Sequence, residues 1–268
     1  KTTRLIVRKD DLHYTEIQTL AHLSYQKNAN WRAVWRRWEE AFDVETVTKQ
    51  FFEDYKRLFF HVRERAVSQG FSPKESHEFA LQFLNRVMFI YFVAKKGWLK
   101  QTHFVRWLWT AYTSEGRFGT DTFYQDWLSQ VFFKAFNNKG IEITGIPDDI
   151  SRILLTVPHL NGGLFREEDT DRIGVTLSDE AFKEVLTFFE KYNFTIREDQ
   201  PLDEEVAVDP QMIGYVYESL ANIAEEIYDR NDLGIFYTSR VEVDFMCRRA
   251  LAGSLINQLP DLPRESLY

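Results

Sequence analysis

The 268-residue chain is 44% hydrophobic and 28% charged, enough apolar material to bury a sizeable core in one large domain or two smaller ones, and disorder is excluded. No run approaches the ~18 uninterrupted apolar residues of a membrane span, and the opening Lys1-Thr2-Thr3-Arg4 has no signal-peptide pattern, so no membrane partner is expected. The single cysteine, Cys247, excludes an intrachain disulfide and any cysteine cluster, fits a reducing cytoplasm, and reads as a small buried hydrophobe. A first residue other than Met is expected of a piece of a longer polypeptide. The net charge of −8 divides unevenly: residues 1–112 hold 19 Lys+Arg against 12 Asp+Glu, and residues 113–268 hold 14 against 29. A basic first half suits contact with phosphates and equally suits attraction between the two halves.

In chain order, helices are expected near 14–24 and 33–42. The spacing of Val44, Val47, Phe51, Tyr55, Leu58, Phe59 and Val62 marks one long helix with Asp43 at its N-cap. Phe79, Phe83, Val87, Ile90, Tyr91 and Ala94 mark a second over 76–96, stopped by Gly97. Further helices are expected over 102–112, 122–136, 179–191, 210–230 and 239–259. Strands are expected only at 172–177 and 193–197, where β-branched residues alternate between turn formers. Residues 138–149 and 160–171 read as loops. The expected fold class is mainly α, a multi-helical bundle with a few short strands. The acidic stretch over 196–208 marks a boundary between a helical domain, 1–196, and a second helical region, 197–268.

Several chemistries lack their residues. Six histidines never approach the one-turn spacing of a zinc protease, and no metal site is expected. Asp54-Tyr55-Lys56 has the form of a nuclease fragment but lies in a helical stretch and reads as a solvated helix face. No Gly-x-Ser-x-Gly is present, and the twelve glycines contain no Gly-x-Gly, which excludes the P-loop and the dinucleotide fingerprint. Trp31, Arg32, Trp35, Arg36, Arg37 and Trp38 interleave rings with guanidinium groups. Such a set can stack on bases and grip phosphates, with Arg32, Arg36 and Arg37 as the DNA-binding candidates. The same pattern describes a helix with two tryptophans in the core and arginines outside, the reading favoured here. The pairs Lys95-Lys96 and Arg248-Arg249 read as surface charge.

Three stretches, by their order and spacing, resemble the amino-terminal part of the adenine-specific DNA methyltransferases of single-chain, IIG-like type II restriction-modification systems. The first is Phe42-Asp43-Val44-Glu45-Thr46-Val47-Thr48-Lys49-Gln50-Phe51-Phe52, continued by Leu84-Asn85-Arg86-Val87-Met88-Phe89-Ile90-Tyr91-Phe92 and Lys95-Lys96-Gly97-Trp98-Leu99. The second is Leu160-Asn161-Gly162-Gly163-Leu164-Phe165. The third begins at Tyr192-Asn193-Phe194-Thr195, passes through Val206-Ala207-Val208-Asp209-Pro210 and Ile213-Gly214-Tyr215-Val216-Tyr217-Glu218, and ends in Gly234-Ile235-Phe236-Tyr237-Thr238-Ser239-Arg240 and Val243-Asp244-Phe245-Met246. The last piece is similar to the family's motif X, with Ser239 in place of a proline.

The resemblance implies that Phe236, Tyr237 and Thr238 form the edge of an S-adenosylmethionine pocket. It also implies that residues 1–196 are a connector and 197–268 the start of the methyltransferase region. The family's catalytic Asn-Pro-Pro-Tyr requires adjacent prolines and its cofactor loop a Gly-x-Gly; this chain has neither. No catalytic residue is therefore expected here, and no cofactor for this stretch alone. The implied partners are DNA, the remaining methyltransferase domain and a possible nuclease domain. The alternative is a stand-alone helical module that binds a protein. Asn161 and Asn193 could read adenine, but turn or strand-edge roles are expected.

Overall fold

Two long helices, α3 (Val44–Ser68) and α4 (Pro73–Lys95), lie against each other at the centre of the chain. The computed structural model describes all residues except 1, 10–11, 25–26, 28–29, 138–141, 161–162, 196–202, 206, 209, 224–237, 239 and 259–268. The stripe read from sequence is the buried one: Phe51, Tyr55, Leu58, Phe59 and Val62 on α3 meet Phe79, Phe83, Val87 and Ile90 on α4. The α4 start is sharper than the sequence reading. Ser72 accepts a hydrogen bond from the Glu75 N–H and the Glu75 carboxylate accepts one from the Ser72 N–H, with Pro73 in the first turn. Gly97, at φ 76, ends the helix in the left-handed region that only glycine enters without strain.

The other α-helices are α1 (Tyr14–Leu23), α2 (Trp31–Ala41), α5 (Phe104–Ser114), α6 (Asp148–Leu154), the short α7 (Asp169–Arg172), α8 (Asp179–Lys191), α9 (Gln211–Ile223) and α10 (Arg240–Gln258); of these α5, α7, α8 and α9 pack on the central pair. The fold is mainly α. α9 sends Met212, Val216 and Leu220 into the same core as α3 and α4, so that core extends past the acidic stretch at 196–208.

The helix expected over 122–136 forms as two π-helical segments, Phe123–Leu128 and Val131–Ala135. The cause is in the side chains. Phe123/Tyr124, Trp127/Leu128, Val131/Phe132 and Ala135/Phe136 are all buried and recur every four residues. An α-helix turns about 100° per residue, so a strict four-residue repeat would drift about 40° at each step. Widened turns cancel that drift and hold eight side chains on one face.

The strands are not where they were expected. β1 (Thr2–Arg4) pairs in parallel with β2 (Asp203–Glu205), Thr2 opposite Asp203 and Arg4 opposite Glu205. Residues 173–178 stay irregular because Gly174, at φ 84, interrupts the run and side chains take the backbone groups. The Thr176 N–H donates to Gln69 Oε1, the Thr176 carbonyl accepts from Gln69 Nε2, and the Val175 carbonyl accepts from Gln125 Nε2. Near 193–197, one bridge forms among the described residues, Phe194 to Val208.

Candidate nucleic-acid interface

The α1–α2 hairpin carries the aromatic-basic set. Asn30 caps α2 by accepting from the Ala33 N–H at 2.9 Å. α2 leans on α1 through Val34, Arg37 and Ala41, which leaves the next strip of the helix uncovered. On that strip Trp31, Trp35 and Trp38, at the i, i+4, i+7 spacing of one helix face, are 70%, 54% and 43% exposed. This corrects the expectation that two tryptophans are core. The core-facing requirement is met by small and aliphatic residues one step around the helix, so the indoles have no place to enter.

The three arginines do different things. Arg37 donates to the Ala21 carbonyl at 2.7 Å and so caps the C-terminal end of α1. Arg36 pairs with Glu40 one turn on, at 3.1 Å on an exposed surface. Arg32 is exposed and has no partner among the described residues. On α1 the apolar Tyr14, Ile17 and Leu20 also face outward, while Thr15, Glu16 and Thr19 are buried.

The hairpin is fastened to the bundle at one end of α8. The Glu190 carbonyl lies 3.1 Å from His13 Nδ1, and the Lys191 ammonium sits 4.7 Å from the centre of the Tyr14 ring. Lys191 also bonds Asp54 at 2.6 Å, and the Tyr192 hydroxyl donates to the same carboxylate at 2.5 Å. Burial by itself would raise the Asp54 pKa; the bonds from Lys191 and Tyr192 and the Lys191 charge outweigh it and hold the carboxyl below its ordinary value. Asp54 is therefore a tether between α3 and α8, and Tyr55 beside it is fully buried with its hydroxyl donating to Asn85. The expectation of a solvated helix face for Asp54-Tyr55-Lys56 fails for these two residues.

Glu190 is a second tether. Its carboxylate takes the Tyr91 hydroxyl at 2.8 Å and Arg106 at 3.2 Å, with His103 at 3.5 Å. Burial pushes its pKa up, but His103, Tyr91 and Arg106 together bring it below the ordinary value. The third is the most buried. Arg86, 1% exposed, forms a two-pronged ion pair with Asp171 and donates to the carbonyls of Leu164 (2.7 Å) and Arg166 (3.0 Å). Its guanidinium lies over the rings of Phe133 and Phe132.

Sequence reasoning missed Arg86 and Asp171. The signal was available: Asn85-Arg86 interrupts an otherwise apolar run on the buried face of α4. Three of the tethers and surface pairs, Arg65–Glu184, Arg86–Asp171 and Arg106–Glu190, join a base of the first half to an acid of the second. Attraction between the halves is thus present in the fold.

Of the cofactor-edge residues, Thr238 is exposed, and Phe236 and Tyr237 lie outside the described residues, as does Asn161. Asn193 is buried, its Oδ1 accepting from Lys95 at 2.8 Å and its carbonyl from the Val208 N–H, a packing role that also removes Lys95 from the surface charges. Arg248, by contrast, is exposed and pairs with Asp244. Cys247 is exposed, not buried, because the first half of α10 has its side chains in solvent on every side. No group of His, Cys, Asp and Glu that could hold a metal ion occurs among the described residues. Nor, among them, is any helix long and apolar enough to cross a membrane.

The fold and this surface describe a mainly α bundle carrying a cationic-aromatic hairpin. Over 200 residues, 71% of the chain, it is 26% identical to a Methanocaldococcus jannaschii protein provisionally named type II restriction enzyme and methyltransferase RM.MjaORFECS2P. The chain spans about one sixth of that protein's length, the alignment covering 16% of it. No protein-family model and no solved structure matches the chain.

Proposed function

We propose that the chain is a non-catalytic helical region of a restriction-modification DNA adenine-N6 methyltransferase, acting in the cytoplasm and joined to the remaining methyltransferase domain and to a possible nuclease domain. The carrying observation is the 200-residue alignment with the archaeal restriction enzyme and methyltransferase. The placement of the signature residues supports it. Phe51, Leu84, Arg86, Val87, Phe165, Tyr192, Phe194, Val208 and Val216 are all buried, so the stretches that carry the resemblance also pack this bundle. In this reading residues 1–196 connect and residues 197–268 begin the methyltransferase region, with α9 as the joint. Phe236, Tyr237 and Thr238 supply one edge of the S-adenosylmethionine pocket, where an aromatic packs on the cofactor. The basic first half, including Arg32, Arg36 and Arg37, meets duplex DNA through its phosphates.

The test compares the complete polypeptide with this chain. The complete polypeptide is expected to transfer labelled methyl from S-adenosylmethionine to adenine N6 in DNA, read by nucleoside chromatography. The chain alone is expected to transfer none and to bind the cofactor weakly or not at all by calorimetry. Methyl transfer by the chain alone, or low-micromolar cofactor affinity, would refute the proposal. Duplex binding by the chain should weaken at least about tenfold between 50 and 200 mM salt.

A further inference from the structure

The Trp31, Trp35 and Trp38 stripe is built for a ligand that offers flat rings and negative charge in alternation. Along α2 each of the first two indoles is followed directly by an arginine, Arg32 after Trp31 and Arg36 after Trp35, about 100° around the helix and so on the same flank. Trp38 is followed by Glu39 on that flank, and Arg36 is shared with Glu40, so Arg32 is the cation beside the rings that has no partner among the described residues. A nucleic acid pairs with both kinds of group, its bases with the rings and its phosphates with the arginines.

The spacing selects the strand type. The helix rise of about 1.5 Å per residue separates Trp31 from Trp35 by about 6 Å and Trp35 from Trp38 by about 4.5 Å. Both exceed the roughly 3.4 Å between stacked bases of one duplex strand, whose faces are in any case covered by their neighbours. Bases splayed along an extended single strand fit such steps. We propose that the α2 face is a stacking platform for an unpaired stretch of nucleic acid, with Trp31, Trp35 and Trp38 under successive bases and Arg32 and Arg36 on the backbone. Arg37 is not part of it, since it caps α1. The inference rests on the reading that this region contacts DNA and adds the strand type and the contacting rings.

The test is fluorescence anisotropy with a labelled oligothymidylate of about 20 nucleotides and, separately, a duplex of about 20 base pairs at the same salt. The single strand is expected to bind at least about tenfold more tightly than the duplex. Trp31→Ala/Trp35→Ala should weaken it at least about tenfold, Trp31→Phe/Trp35→Phe should keep most of the affinity, and Arg32→Ala should lower the salt dependence. These side chains are exposed, and an unchanged circular-dichroism melt checks that the variants fold. Salt-sensitive duplex binding with no single-strand preference would overturn this inference and leave the DNA-contact reading standing, whereas binding of neither would overturn both. Alanine variants that bind the single strand as wild type does would also sink it. So would sedimentation showing a self-associated wild type that dissociates in the double alanine variant, since the indoles would then be a protein contact.

Discussion

Arg86 holds a loop by four hydrogen bonds at once, and its removal isolates the rest. With Arg86→Met the Asp171 carboxylate is left buried without its cation, a change that typically costs about 3–5 kcal/mol. Urea denaturation should show a loss of that order. The double variant Arg86→Met/Asp171→Leu should recover a large part of it, because no charge is then stranded; a double variant as unstable as the single one would mean that the bonds to the Leu164 and Arg166 carbonyls carry the cost. His77 is a different case. Burial first, and the Arg63 charge second, press its pKa down to about 4, against 6.5 for an ordinary imidazole. The unfolded chain therefore binds the proton more readily than the folded one. Stability is complete above about pH 6.5 and is lost progressively as pH falls toward 4. His77→Phe, which keeps a ring against Phe59, should flatten the fall in Tm across that range. Parallel Tm profiles for wild type and variant would show that other groups set the acid limit.

At the scale of elements, what sequence periodicity could show depended on which partner each backbone group found. α3, α4 and α8 were legible because their buried stripes repeat at three and four residues, whereas the caps Ser72 and Ser178 that start α4 and α8 went unread. The 173–178 segment was misread because β-branched alternation says nothing about whether a strand partner exists; here Gln69 and Gln125 take the hydrogen bonds instead. β1 and β2 escaped notice for the converse reason. Three residues drawn together across nearly the whole described core leave no local pattern. On α2 the composition singled out the rings and guanidinium groups but put the indoles on the wrong face. Only the position of α1 decides that Val34 and Ala41 turn inward and the indoles outward. The candidate site was thus readable as a list of side chains and not as a surface, and Phe236 and Tyr237 stay where the resemblance alone puts them.

In the molecule as a whole, the division of charge has a structural use. Arg65, Arg86 and Arg106 of the basic half are taken up by Glu184, Asp171 and Glu190 of the acidic half, so a share of the positive charge counted in the sequence closes the fold and is not offered to phosphates. Of what remains outward, Arg32 sits on the hairpin, and Lys74, Lys96 and Lys100 lie on or beside α4. The wall between α5 and α8 is formed by the widened helix of 123–135, which carries more residues than an α-helix would use for the same face. Ser129, half-buried between the two π-helical segments, tolerates replacement, since Ser129→Ala removes one hydroxyl that bonds within its own helix. Deleting Ser129 would leave the buried pairs at steps of four, three and four, which share one face of an ordinary α-helix at about 100° per residue. In a deletion scan read by soluble yield, loss of Ser129 is expected to be tolerated, whereas loss of a residue from the middle of α3, whose stripe already has the ordinary spacing, should fail; equal failure at both places would refute this. Here the chain has a place where its length can change by one residue and its core need not.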